Sequence, residues 1–214
     1  MGKKDRTTQQ ILKVATDLFL SDGLLAVGME RIAELAEMTR RNLYRHFPTR
    51  ESLAYAVTAN LLDAWNQEQR GIYDGLVGTG RKRLEDFFDA LIASLDRQRP
   101  MLRFFGEFDV VFQDSLIYKP SPEMEHEFSA SLDVSEDLVR ELIELGMKDG
   151  SLRPGLNLKV LVPTITMTLW TLAQRIALRD RMIKDEFSVD GLDIVHQHLE
   201  LVLRALEPAS ARRK

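Results

Sequence analysis

The sequence predicts an all-α protein in which an N-terminal three-helix helix-turn-helix domain precedes a larger helical domain. Apolar residues recur at helical spacing along most of the 214-residue chain, and no segment alternates as a half-buried strand does. The length suffices for one small and one larger domain. We expect residues 1–50 to form the first domain, residues 51–207 the second, and residues 208–214 a disordered tail.

Composition excludes several classes of protein. The chain has no cysteine, which excludes disulfides, thiol nucleophiles and cysteine-ligated zinc and suits a reducing cytoplasm. No apolar run approaches the roughly 18 residues of a membrane-spanning helix. The basic N-terminus leads into an amphipathic helix rather than a signal peptide. We therefore expect a cytoplasmic protein with no membrane partner.

Charge is distributed unevenly. Residues 1–50 hold nine Lys or Arg and six Asp or Glu, a balance of +3, whereas the remaining residues hold twenty and twenty-seven, a balance of −7; together they give the net −4. A basic first domain on an acidic chain is typical of a nucleic-acid binder that limits its non-specific binding.

The first domain has three predicted helices. Residues 7–21 carry an inward face of Ile11, Leu12, Ala15, Leu18 and Phe19, and Gly23 is a plausible C-cap. A short helix follows from Gly28, a weak N-cap, and a second begins after Thr39, a good one.

The helix after Thr39 has two unlike faces. Leu43 and Phe47 lie four residues apart on an apolar back. The front carries basic, amide and phenol groups, which suit a major groove because Arg pairs bidentately with guanine, Asn with adenine, and the others hold phosphate. The alternative is a merely solvated face. The front residues are Arg40, Arg41, Asn42, Tyr44, Arg45 and His46.

The pattern from Gly23 to Glu51 resembles the signature of the tetracycline-repressor-like (TetR) transcriptional regulators. Its specific part is Leu43-Tyr44-x-His46-Phe47 followed by Arg50-Glu51. The resemblance covers about the first quarter of the chain and implies a homodimeric repressor that binds palindromic double-stranded DNA. The sequence departs from the family in three places. Family members usually have a glycine in the turn, where Glu37 or Met38 would take its left-handed conformation at a cost on the order of 1 kcal/mol. They usually have Thr or Ser at the position of Gly28 and a small residue at the position of Arg41. The expected DNA-binding residues are Thr39, Arg40, Arg41, Asn42, Tyr44, Arg45, His46, Thr49, Arg50, Arg6 and Thr7.

The second domain is predicted as a series of helices. Thr49 caps a helix to about residue 69, although Thr49 and Ser52 do not make a full capping box. A glycine-rich loop spans 71–80, and Pro100 separates two helices. An apolar helix should be kinked at Pro163. The predicted helices after the loop are 81–98, 101–113, 122–131, 135–149, 157–179 and 189–206.

Aromatic residues are dense in the second domain. A solid core explains most of them, but a bundle of helices is also the usual place for a ligand cavity. We expect an unidentified, mostly apolar small-molecule effector to bind among helices 84–112 and 157–179. Glu107 in this region is either solvated or faces a cationic ligand. The expected pocket residues are Phe104, Phe105, Phe108, Phe112, Met167, Trp170 and Gln174.

The last two helices predict self-association. One is apolar on nearly every side, and the other has a stripe close to heptad spacing, so two copies packed about a two-fold axis would cover both. The expected interface residues are Val195, Leu199, Val202 and Leu206.

An enzyme is disfavoured. No glycine-rich phosphate loop or nucleophile elbow is present, so no catalytic residue and no cofactor is assigned. Glu123 with His126, and Asp193 with His196, have metal-ligand spacing but lack the further inward carboxylates of a di-metal bundle. No metal site is therefore assigned. The remaining alternative to a regulator is a helical protein-interaction or adaptor module without specific DNA binding.

Overall fold

A computed structural model describes residues 3–112 and 121–208, with side chains described for 6–112, 121 and 134–208. Over these residues the chain forms eight helices and no strand, which confirms the all-α prediction. The tail from residue 209 and the side chains of Glu123 and His126 lie outside the described part. The helices are α1 (Lys3–Asp22), α2 (Met29–Leu35), α3 (Arg40–His46), α4 (Arg50–Asp74), α5 (Gly80–Phe112), α6 (Pro122–Asp149), α7 (Leu158–Phe187) and α8 (Gly191–Leu206).

Several helices are longer than predicted. α4 continues through Gly71 to Asp74, so the loop before α5 is shorter than 71–80. The two helices predicted on either side of Pro100 form the single helix α5, and those predicted at 122–131 and 135–149 form α6. Proline costs a helix interior about 3 kcal/mol. Burial of Leu95, Met101 and Leu102 beside Pro100 outweighs that cost.

α7 is bent at a different residue from the one predicted. Within this helix the residue with non-helical backbone angles is Arg179, at φ −131° and ψ 20°, rather than Pro163. Pro163 lies in the second turn, where the loss of its one N–H bond leaves the helix intact. The predicted end at residue 179 therefore coincides with the bend, and a further helical segment follows it to Phe187.

The chain divides into two compact units. Unit 1 comprises Met1–Asp63 and Pro100–Ser129, and unit 2 comprises Ala64–Arg99 and Ala130–Lys214. α4 and α5 each supply residues to both units. The predicted domain boundary at residue 50 does not coincide with a boundary between these units. It separates the expected DNA-binding part from the rest, and it stays a prediction.

The core of unit 1 joins the three N-terminal helices to parts of α4 and α5. Phe19 of α1 stacks on Phe104 of α5 with ring centroids 6.0 Å apart. Tyr55 of α4 packs edge-on against Phe108 and Phe112, at 5.1 and 5.0 Å. The aromatic residues at 104–112 are therefore the packing that holds α1 and α4 to α5.

The core of unit 2 is tightest where α5 begins. A Cβ placed on Gly80 would lie 2.0 Å from the backbone nitrogen of Gly146, so only glycine lets α5 approach α6 this closely. The Gly80 N–H donates to the Asp149 carboxylate at 2.7 Å, and the Arg81 N–H donates to the Ser151 hydroxyl at 3.0 Å. The last residue of α6 and a residue just beyond it thus satisfy the first N–H groups of α5.

Candidate nucleic-acid interface

α2, a short turn and α3 form a helix-turn-helix in unit 1. Gly28 precedes α2 and makes no side-chain cap bond, as its lack of a side chain predicts. The Thr39 hydroxyl accepts a hydrogen bond from the Asn42 N–H at 3.2 Å, which confirms Thr39 as the N-cap of α3. Met29, Ile32 and Ala33 of α2 are buried and face the unit's core.

The turn takes the strained form that the sequence predicts. Glu37 has φ +52°, the left-handed region in which a glycine is usual. The Met38 N–H donates to the Ala33 carbonyl and the Glu37 N–H donates to the Glu34 carbonyl. These two bonds close the end of α2 and offset part of the cost of the left-handed residue.

α3 has the two faces that were predicted for it. Leu43 is fully buried and Phe47 is nearly so, which fixes the apolar back. Arg40, Arg41, Tyr44 and Arg45 are exposed, and Asn42 and His46 are half-buried. The front of the helix therefore offers cationic and phenolic groups to solvent, while the back holds its orientation.

Several front side chains are restrained by neighbours. Arg40 forms an ion pair with Glu30 of α2. The Arg45 guanidinium donates to the Asn42 amide oxygen at 2.7 Å. In the free protein the Asn42 amide oxygen is therefore occupied by Arg45. Asn42 would have to give up this bond before it could pair bidentately with adenine. Sequence reasoning did not find Glu30, since nothing local signals a partner ten residues away.

α1 supports α3 from one side. Thr8 Oγ1 lies 3.0 Å from His46 Nδ1, and the Gln10 amide donates to the Ala36 carbonyl at 2.9 Å. α1 begins at Lys3 rather than at residue 7, so Arg6 and Thr7 lie inside it instead of at its N-terminus. The N–H groups of Arg6 and Thr7 are therefore not the free ones of the helix N-terminus, and their contact with DNA stays a prediction.

Thr49 and Arg50 lie where α4 begins. The Ser52 N–H donates to Thr49 Oγ1 at 3.0 Å, and the Thr49 N–H donates to Ser52 Oγ at 3.3 Å. This is the reciprocal arrangement of a capping box, with serine in the role of glutamate, which sequence reasoning had discounted. Arg50 lies 3.8 Å from the Glu51 carboxylate.

The predicted pocket residues do not share one unit. Phe104, Phe105, Phe108 and Phe112 belong to unit 1, whereas Met167, Trp170 and Gln174 belong to unit 2. Met167 is 65% exposed on α7, so it does not line a cavity in the single chain. Glu107 is not merely solvated, because its carboxylate accepts a hydrogen bond from the Leu25 N–H at 3.4 Å.

The predicted interface residues of α8 require a correction. Val195, Leu199 and Leu206 are each at most 2% exposed and pack inside the single chain. Val202 is only half-buried. The apolar stripe of α8 is therefore core, and residues buried in this way cannot also meet a second copy.

A short helix pair with an apolar back and a cationic, exposed front defines a helix-turn-helix DNA-binding protein. Residues 11–57 match the family of bacterial regulatory proteins called the tetR family. The chain is 26% identical over 208 residues to the HTH-type transcriptional repressor KstR2 of Rhodococcus jostii (strain RHA1), which spans 96% of this chain and 93% of that protein.

Solved structures share the fold. The ketosteroid transcriptional regulator KstR2 of Mycobacterium tuberculosis superposes with a TM-score of 0.61 at 20% identity, covering 94% of this chain and 95% of that one. The transcriptional regulator FadR from Bacillus subtilis in complex with stearoyl-CoA gives a TM-score of 0.61 at 16% identity, covering 91% and 97%. Residues 11–57 thus carry the tetR-family pattern, and the chain is similar over most of its length to a DNA-binding transcriptional repressor. No helix in the described ranges is long and apolar enough to span a membrane.

Proposed function

We propose that this chain is a homodimeric repressor that binds a palindromic operator and is released from it by a mostly apolar small molecule. The observation that carries the DNA-binding part is the exposed cationic front of α3, held by the buried Leu43 and Phe47. A rigid helix with such a front fits the major groove, while α2 crosses the phosphate backbone.

Arg41 is the first candidate for base readout. It is exposed at the second position of α3, and no ion pair restrains it in the part of the chain that the structure describes. A guanidinium that is free in the unbound protein loses no partner when it pairs with guanine. Tyr44 is 45% exposed one turn along and suits a phosphate contact.

Selection of duplexes from a random pool, followed by titration, tests this assignment. Arg41→Ala should weaken binding to the selected duplex by about 1–3 kcal/mol and relax one position of the site. Tyr44→Phe should weaken selected and random duplexes alike. An adaptor without specific binding would enrich no sequence and would show no steep dependence of affinity on salt.

An apolar stripe on α7 supports a dimer. Exposed side chains recur at steps of three and four residues along the helix, which places them on one face. On α8, Leu201 is 58% exposed, and His198 Nε2 lies 3.3 Å from Thr168 Oγ1 of α7. We assign the dimer interface to this face rather than to the buried stripe of α8. The exposed large apolar residues of α7 are Val160, Met167, Leu178 and Met182 on this face, and Phe187 at the end of the helix.

The core of unit 2 supports an effector site. Trp65 of α4 lies 6.1 Å from Trp170 of α7, centroid to centroid. Amide side chains are buried on the same helix as Trp65: Gln69 is 1% exposed and donates to the Asn66 amide oxygen at 3.4 Å. Apolar walls with a few buried polar groups are what an orienting ligand site needs. The KstR2 and FadR neighbours suggest steroid-like or long-chain acyl compounds as the first to test.

The contacts inside unit 1 suggest how a signal reaches DNA. α5 holds α1 through Phe104, α4 through Phe108, and the turn after α1 through Glu107. A ligand that binds one conformation of α4 and α5 better than another shifts the population toward the conformation that it binds better. Half-sites lie about 34 Å apart on DNA, so a displacement of α3 by a few ångströms loses contacts in both.

Intrinsic fluorescence gives a direct test of the effector site, because Trp65 and Trp170 are the only tryptophans in the sequence. Titration with a steroid and with stearoyl-CoA should change their emission, and a bound compound should weaken operator binding about 5–150-fold. Gln69→Leu removes a buried amide and should weaken the response, while Gln67→Leu, on the same helix, is the control. A compound that binds without altering operator affinity contradicts the mechanism.

A further inference from the structure

An ion pair crosses the helix-turn-helix at the face proposed for DNA. Arg40 is the first residue of α3, and its guanidinium contacts the carboxylate of Glu30, the second residue of α2. The Arg40 and Glu30 side chains are 60% and 68% exposed, so both remain accessible to a large ligand. Such an exposed pair is weak and is readily exchanged for another partner.

The pair places a negative charge where phosphates would approach. In the free protein Glu30 neutralises Arg40. When Arg40 turns to a phosphate, it leaves the Glu30 carboxylate unpaired close to a polyanion, and like charges repel. Arg40 therefore gains little from an arbitrary phosphate in exchange for the partner it gives up.

We propose that Glu30 is a specificity-determining residue, which suppresses binding to arbitrary DNA by holding Arg40 in this ion pair. This inference rests on the proposed recognition by α3. Non-specific binding comes almost entirely from contacts between cationic side chains and phosphates. Neutralising Arg40 therefore lowers the affinity for arbitrary DNA. A specific site offers Arg40 a bidentate partner, such as the O6 and N7 atoms of guanine, and this replaces the carboxylate.

Substitution of Glu30 by glutamine tests the proposal, since glutamine has nearly the same shape and no charge. The matched control is Glu34→Gln, which removes the same charge from an exposed position one turn further along α2. Both variants, with the wild type, are titrated against a random-sequence duplex and against a duplex selected by the wild type, over a series of KCl concentrations. Thermal denaturation followed by circular dichroism checks that each variant is folded.

We expect Glu30→Gln to bind the random duplex about two- to ten-fold more tightly than wild type. The selected duplex should gain less, so the ratio of the two affinities should fall. The salt dependence on random DNA should steepen by up to about 0.9 in the log–log slope, the value for one additional phosphate contact. Glu34→Gln should produce the smaller change that a distant charge gives.

The double variant Glu30→Gln with Arg40→Ala distinguishes the effect of the ion pair from the effect of the Glu30 charge by itself. If Glu30 acts through Arg40, its substitution has little effect once Arg40 is absent. Equal effects of Glu30→Gln and Glu34→Gln, or no change in the affinity ratio, would overturn the proposal. If Arg40→Ala still weakens binding in that case, recognition by α3 stands and only the role of Glu30 fails. If Arg40→Ala and Arg41→Ala both bind like wild type, the proposed function itself fails.

Discussion

The carboxylate of Glu107 in α5 accepts a hydrogen bond from the backbone N–H of Leu25 at 3.4 Å. The same carboxylate lies against Gly23, where an added Cβ would be 3.0 Å from its nearer oxygen. Gly23 ends α1 with φ +93°, and its N–H donates to the Phe19 carbonyl. α5 thus contacts the turn that joins α1 to the helix-turn-helix, at residues 82 positions apart in sequence.

Gly23→Ala should destabilise the protein by about 1–2 kcal/mol, chiefly because a side chain disfavours this left-handed conformation. Denaturation with urea measures the change in the free energy of unfolding. Gly23→Asn should cost less, because asparagine tolerates the left-handed region better. A Gly23→Ala variant as stable as wild type would contradict the expected strain.

Thr39→Ala should cost about 1 kcal/mol, since the Asn42 N–H loses its cap. α3 has only seven residues, so loss of the cap should also weaken binding to the selected duplex. Thr39→Ser retains the hydroxyl and should restore both properties. Urea denaturation and a binding titration on the same samples make the comparison, and unchanged stability in Thr39→Ala would count against the cap.

Leu201→Glu should leave the chain folded and prevent self-association, because Leu201 is exposed on the proposed interface. Val195→Glu should instead prevent folding, since Val195 is 1% exposed in the core. Sedimentation at micromolar concentration distinguishes the two, with Lys148→Glu, at an exposed position of α6, as a control off the proposed interface. A wild type that sediments as a monomer would refute the assignment.

Asp149→Asn should destabilise the protein near neutral pH. The pKa of Asp149 is held below its ordinary value by the Ser151 side chain, the Gly80 N–H and the Ser151 N–H, in that order. A lowered folded-state pKa gives stability that is present above the unfolded-state pKa and is lost as pH falls through the folded-state value. The difference between wild type and variant should therefore shrink in acid. Denaturation at a series of pH values measures the unfolding free energies of wild type and variant. A difference between them that does not change with pH would argue against the lowered pKa of Asp149 as its cause.

The features that sequence predicts well here depend on local rules. Thr39 as a cap, the left-handed residue at Glu37 and the buried Leu43 all follow from residues within one or two helical turns. The tetR-family pattern lies in this same segment. The helix-turn-helix and its exposed residues could therefore be predicted before the fold was known.

The features that sequence misses depend on distant packing. Pro100 looks like a boundary, but the buried residues around it hold α5 together. From the sequence, the α8 stripe at Val195 and Leu199 could pack within its own chain or against a second copy. The fold shows that it packs within its own chain. Neither Glu30 with Arg40 nor Glu107 with Leu25 leaves a periodic signal.

The contact between Gly80 and Gly146 has a mechanical consequence. Because backbone meets backbone there, no side-chain rotation can absorb a displacement of the first turn of α5 relative to α6. The two helices should therefore move together at this end if the proposed effector binds. Spin labels at positions 82 and 148, both in unit 2, should report the same separation with and without effector, even where operator affinity changes.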